Sequence, residues 1–158
     1  MLKLFGAILV LVGSSGYGIR LYLDLRDAIS HLRHFKWLLD AFSSEIGYRR
    51  LSLPECCKAV CGGCEEPFKT ILHETSHSYE TDGRCEFAVC FRQNAENGLE
   101  KCSLSSEEKD LIKGTFEEMA IYDLEMQLSL LESKKRQLDK YLKKRETEIE
   151  EKKKVYTG

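Results

Sequence analysis

The chain has 158 residues, room for one modest domain, with 32% charged and 42% hydrophobic residues, two prolines and a net charge of -2. That balance supplies no broad positive field, which disfavours non-specific nucleic-acid binding, and the Leu, Glu and Lys series with so little proline puts large sheet folds at a disadvantage. Composition is segregated: the first 19 residues hold one base, Lys3, and no acid, whereas residues 105–158 hold 13 of the 26 acids and 12 of the 24 bases.

The chain opens with an apolar run from Leu4 to Val12, followed by Gly13, Ser14, Ser15 and Gly16. Read as one helix, Leu4 to Leu23 measures about 30 Å at ~1.5 Å per residue, enough to cross a bilayer if Arg20 snorkels outward. Residues 1–20 are therefore predicted as a transmembrane anchor and 21–158 as a cytoplasmic helical bundle. A cleaved signal peptide and a buried helix of a soluble bundle remain open as alternatives. Arg20, Arg26, Arg33 and Lys36 follow the run and only Lys3 precedes it, so the positive-inside bias puts the rest of the chain in the cytoplasm.

Leu21, Leu25, Ala28, Leu32, Phe35, Leu39, Phe42 and Ile46 alternate four and three residues apart, one stripe on a helix that continues directly from the anchor to about Gly47. Ser52 as N-cap and Pro54 in the first turn open a short helix to Cys61, which Gly62 and Gly63 end. Glu65 to Tyr79 reads as the next helix, with Phe68, Ile71, Leu72, Thr75 and Tyr79 inward. Arg84 to Glu96 reads as a third, stopped by Asn97 and Gly98.

Ser105 and Glu108 form a capping box at the head of a helical pattern that persists to about Lys154, with Gly114 as its weak point. Its late series is Leu124, Leu128, Leu131, Lys135, Leu138, Leu142, Arg145 and Ile149. Two charged seam positions favour an antiparallel partner within the chain over an extended coiled-coil dimer, and the obvious partner is the Leu21–Ile46 stripe. The expected fold is all-α: an N-terminal membrane helix, then an antiparallel bundle of two long helices and about three shorter ones.

Seven cysteines are the strongest pointer to chemistry. Cys61 and Cys64 with His73 and His77 resemble fragments of a zinc site, but the spacing is short and no finger core or recognition helix accompanies it. CGGC at 61–64 lacks the βαβ context of a redox motif. Unbridged, buried or half-buried thiols are the expectation, with no metal and no cofactor. His31, His34 and Asp40 read as a solvated helix face, Trp37 as a packing or interface residue, and no nucleophile elbow or phosphate loop supports an enzyme.

The opening MLKLFGAILVLVGSSGYG, the stretch LLDAFSSEIGYRRLSLPE and a tail with Asp123, Gln127 and KKKVYTG together resemble the stage III sporulation protein AB family of endospore-forming Firmicutes, over almost the whole chain. The resemblance implies a helical membrane protein of the mother cell, similar to the cytoplasmic domain of inner-membrane platform proteins of type II secretion and type IV pilus systems. On that likeness it holds an assembly ATPase on one side and channel-forming subunits on the other without hydrolysing ATP. No nucleic acid or small-molecule substrate is implied, and homo-oligomerisation stays open. Glu45 and Tyr48, Leu53 and Glu55, and Asp123 and Gln127 carry over as structural or interface candidates, beside the packing positions Leu32, Phe35, Trp37, Leu131 and Leu138. A second apolar segment normally follows the position of Val155 to Gly158, so the sequence is expected to stop short of it. KGTFEEMAIYD lacks the family's Leu-Gly element, and the cysteine-rich 56–64 stretch is not part of its usual pattern. The alternative function is a generic helical or coiled-coil interaction module.

Overall fold

A computed structural model describes residues 1–83 and 86–157. Among these the chain forms six α-helices and no strand: α1 (Leu2–Ser44), α2 (Leu53–Cys61), α3 (Phe68–Thr81), α4 (Phe87–Leu99), α5 (Ser106–Met119) and α6 (Leu124–Thr157). The all-α reading holds, with α1 and α6 as the two long helices.

α1 is one unbroken helix of 43 residues. Its end widens into a π-helical turn, Glu45–Arg49, and Arg50 at φ 54° reverses the chain. The predicted stripe is the buried face: Leu25, Ala28, Leu32, Phe35, Leu39, Phe42 and Ile46 are all buried, and Leu21 is half-buried. Opposite it on α6, Leu131, Leu138 and Leu142 are buried, and Leu124, Leu128, Lys135, Arg145 and Ile149 are half-buried. Ion pairs fix the direction, because Arg33 meets Glu146, Lys36 meets Asp139 and Asp40 meets Lys135. As one number rises the other falls, so α1 and α6 run antiparallel.

The two charged seam positions are accommodated by partners outside the seam. Lys135 Nζ lies 2.8 Å from Asp40 and 2.6 Å from Glu132. Arg145 is paired with Glu108 at the head of α5. A cation on the seam keeps its stem in the apolar layer and its charge at the edge.

Helices α2 to α5 close the core around α1. Phe68 of α3 stacks on Phe35 at 5.6 Å, and Phe116 of α5 meets Phe42 at 5.0 Å and Phe91 of α4 at 4.2 Å. Phe116 thus joins three helices, and aromatic pairs at such spacings contribute beyond their area.

Three boundaries differ from the sequence reading. The predicted helix from Ser105 to Lys154 is two helices, and the break lies at 120–123, not at Gly114. Asp123 accounts for it: its Oδ1 accepts the Met126 N–H at 3.0 Å, capping α6, while tight bonds from Ile121 and Tyr122 back to Glu118 and Met119 unwind the end of α5. The bundle therefore carries four short helices. Asn97 and Gly98 do not stop α4, which runs to Leu99; a Cβ on Gly98 would lie 2.5 Å from Cγ1 of Ile71, so the glycine is there to let α3 and α4 approach. Helix α3 begins at Phe68, three residues after the expected Glu65. The expected start at Arg84 lies outside the described residues.

Candidate functional site

At one end of the molecule α1 stands free of the bundle. Leu4, Phe5, Ile8, Leu9, Val10, Leu11 and Val12 are exposed, and the helix is long and apolar enough to cross a membrane. Helix α6 ends beside the base of this segment, since the register that pairs residues 33 and 146 carries Lys153 to the level of Tyr22 and Arg26.

The other end is formed by the π-helical turn and the α5–α6 turn. The π-helical turn packs on the start of α6 through Gly47, where a Cβ would lie 3.9 Å from Leu128. Around this contact large side chains face solvent: Tyr48 is 90% exposed and Ile121 81%, with Tyr122 and Met126 beside them in the α5–α6 turn and the first turn of α6. Next to Ile121, a groove lined by Tyr79, Phe87, Val89 and Ala120 runs between α3, α4 and α5.

The sequence-selected residues around this end divide by role. Tyr48 is the one wholly presented to solvent. Glu45 pairs with Arg49 at 3.3 Å, Leu53 is buried, and Glu55 accepts the Ser52 N–H at 3.0 Å, closing the capping box of α2. Asp123 caps α6, and Gln127 Nε2 donates to the Met119 carbonyl at 2.9 Å, tying α6 to the end of α5. Leu32, Phe35, Leu131 and Leu138 are wholly buried.

Trp37 belongs to a different construction, two turns before the C-terminal end of α1. It is 44% exposed, and its ring stacks on His34 at 5.2 Å. His34 also touches Phe68, and its Nε2 accepts the Glu65 N–H at 2.9 Å. Burial lowers the His34 pKa, against the opposing charge of Glu65, which keeps the imidazole a neutral acceptor. A Cβ on Gly63 would lie 3.1 Å from the indole Cη2 of Trp37. Gly63 of the CGGC turn therefore leaves room for the indole, and the imidazole of His34 holds the chain just after the turn.

The cysteine and histidine candidates do not assemble. His73 and His77 lie on the exposed face of α3, while Cys64 is buried with its thiol donating to the Val60 carbonyl at 3.3 Å, and Cys61 donates to the Lys69 carbonyl at 3.5 Å. No group of three or more metal-ligating side chains comes together among the described residues. Burial pushes the Cys56 thiol up to about 12 and Cys64 to about 11, and raises Cys57 further with help from its thiol neighbours. Such thiols are poor nucleophiles. Cys56, Cys57, Cys61, Cys64 and Cys102 are free, but the expectation of unbridged thiols is corrected at Cys90, which is disulfide-bonded. Cys85 lies outside the described residues.

Among the described residues Glu108 is the one buried charged side chain. Glu108, 2% exposed, caps α5 with Ser105 and also holds Arg145, whose Nε lies 3.3 Å from it. Burial alone would raise the Glu108 pKa, but hydrogen bonds from Arg145 and Ser105 outweigh it and the net direction is down. The capping box was legible; its partner, 37 residues away, was not.

Residues 3–158 match the family model described as Stage III sporulation protein AB. A solved structure described as Stage III sporulation protein AB (SpoIIIAB) is similar in fold, with a TM-score of 0.68 at 18% identity over 78% of this chain and 96% of that one. No curated relative matches the chain.

Proposed function

Because the chain belongs to the stage III sporulation protein AB family, we propose that it is a non-enzymatic, membrane-tethered platform that helps assemble a secretion-like channel around the forespore. A role in sporulation follows from the family. In the finer reading residues 1–20 span the mother-cell membrane, the bundle of 21–158 lies in the cytoplasm, and its far end contacts an assembly ATPase while the membrane side meets channel subunits.

The observation that carries this reading is the continuity of α1. One helix of 43 residues is bare and apolar at its start and is the central helix of the core further on. A force applied to the bundle is thereby transmitted to the membrane segment without a hinge. The exposed Tyr48, Ile121 and Met126 at the far end supply an apolar surface with aromatic character, the composition that recurs at energetically important contact points.

The test is site-specific photocrosslinking from Tyr48 and Ile121 in sporulating cells, with alkaline extraction of the membranes run in parallel. Crosslinks to a hexameric ATPase and to sporulation membrane proteins are expected from carbonate-resistant protein. Membrane-inserted, intact protein that crosslinks to neither would move the assignment to a generic helical interaction module.

A further inference from the structure

The platform reading leaves the CGGC turn between α2 and α3 unused. The Cys64 N–H donates to the Cys61 carbonyl at 3.2 Å and the Gly63 N–H to the Val60 carbonyl at 3.1 Å, so residues 61–64 close as a turn. A turn of this kind holds its end Cα atoms within about 7 Å, and a disulfide spans Cα separations of about 4.4–6.8 Å. Both thiols are unbridged, but they differ in access: Cys61 is half-exposed and donates to the Lys69 carbonyl, whereas Cys64 is 7% exposed. Of the two glycines between them, Gly63 admits the indole of Trp37, but Gly62 lies at φ -63° with nothing within 4 Å of an added Cβ. Neither packing nor backbone conformation calls for a glycine at 62; what it supplies is freedom for the turn to change shape.

We propose that Cys61 and Cys64 form a dithiol oxidation site, closed to a disulfide by low-molecular-weight disulfides, and that closure loosens the clasp of His34 and Trp37 on the turn. The Cys61 thiolate attacks one sulfur of the oxidant RSSR, whose S–S bond breaks and releases RS⁻, leaving a mixed disulfide on Cys61. The Cys64 thiolate then attacks Cys61 Sγ and expels the second RS⁻, and each departing thiolate takes up the proton that one protein thiol lost. The two cysteines are thereby oxidised by two electrons and RSSR is reduced to two RSH. Burial and the neighbouring Cys61 thiol hold Cys64 protonated against the charge of Lys69, so the oxidant reacts first at the half-exposed Cys61. Cys64 then needs only an intramolecular step, three residues along a turn that brings the two together. Closure draws the Cys64 thiol off the Val60 carbonyl, which it contacts at 3.3 Å in the open form. Gly63 against Trp37 precedes Cys64, and Glu65, whose N–H is held by His34 at 2.9 Å, follows it, so the shift reaches both contacts with α1.

The test exposes the full chain in mild detergent to oxidised glutathione, stops the reaction with acid, removes the oxidant, labels remaining thiols with N-ethylmaleimide in denaturant and reads tryptic peptides by mass spectrometry. Cleavage after Lys58 and Lys69 isolates residues 59–69, whose only cysteines are Cys61 and Cys64, and cleavage after Arg50 and Lys58 isolates residues 51–58 with Cys56 and Cys57 as an internal control. The 59–69 peptide is expected to lose both maleimide labels and two hydrogens, while the 51–58 peptide keeps both labels. Cys64→Ser should stop at the mixed disulfide of Cys61 with glutathione. Emission from Trp37, the only tryptophan, should shift on closure in the unaltered chain and stay unchanged in Cys61→Ser treated alike. A 59–69 peptide of the unaltered chain that keeps both labels overturns the oxidation site, and so does one that carries glutathione without closing, or that is bridged to the 51–58 peptide. Closure without a shift in Trp37 emission, or the same shift in Cys61→Ser, overturns the link to the clasp.

Discussion

Gly98→Ala is expected to destabilise the bundle although it places a better helix former inside a helix. Relative to Gly, Ala in a helix interior is favoured by about 1 kcal/mol. At Gly98 the added Cβ would lie 2.5 Å from Cγ1 and 2.9 Å from Cδ1 of Ile71, which is itself 1% exposed in the α3 core layer. Cγ1 is anchored next to the backbone and cannot swing clear, so α3 and α4 must separate, at the ~1–3 kcal/mol typical of overpacking. The net expected loss is up to about 2 kcal/mol. Gly114→Ala is the matched control, since its Cβ would meet nothing within 4 Å and α5 should gain about 1 kcal/mol. Thermal unfolding of the full chain in detergent, followed by near-UV circular dichroism, reads both signs. In an Ile71→Ala background, itself weakened by ~2–5 kcal/mol, the clash is absent and Gly98→Ala should turn stabilising. If Gly98→Ala stabilised the unaltered chain as Gly114→Ala does, or kept its sign after Ile71→Ala, the close-approach argument would be refuted.

Arg145→Ala leaves the Glu108 carboxylate buried without its cation and should cost about 3–5 kcal/mol by the same unfolding assay, far more than Arg33→Ala at an exposed pair. Because the folded Glu108 pKa lies below its ordinary value of 4.5, the contribution of that group is full above 4.5 and drains as pH falls through the folded value; Glu108→Gln should flatten this acid limb. The His34 pKa is likewise lowered from 6.5, so its share of stability is complete above 6.5 and is lost as pH falls below it. Comparing melts at successive pH values, His34→Gln, which keeps an acceptor for the Glu65 N–H but does not titrate there, should remove that slope. Leu138→Ala, at a wholly buried seam position, should lower stability by about 2–5 kcal/mol; an unchanged melt would deny the α1–α6 seam.

The legibility of the chain followed the range of the interaction concerned. The α1 stripe from Leu25 to Ile46 and the α6 series around Leu131 and Leu138 could be read because period and burial are both local to one helix. The Ser52 and Ser105 caps could be read for the same reason, since each needs only residues three positions apart. Gly98 misled because a glycine in sequence looks like a stop whether it ends a helix or admits a neighbour. Spacing alone could not say how Cys61, Cys64, His73 and His77 face: the imidazoles point outward from α3 while Cys64 points into the core.

By itself the sequence determined an all-α chain whose first segment is apolar enough for a bilayer and whose two longest helices bury matching stripes. These are properties of hydrophobic period and composition, carried by neighbours along one chain. The tertiary structure alone decided the register of α1 on α6, the pairing of Glu108 with Arg145, and the clasp of His34 and Trp37 on the CGGC turn. Each of these joins side chains from segments distant in the chain, and their meeting is set by the packing of whole helices, which no local pattern encodes.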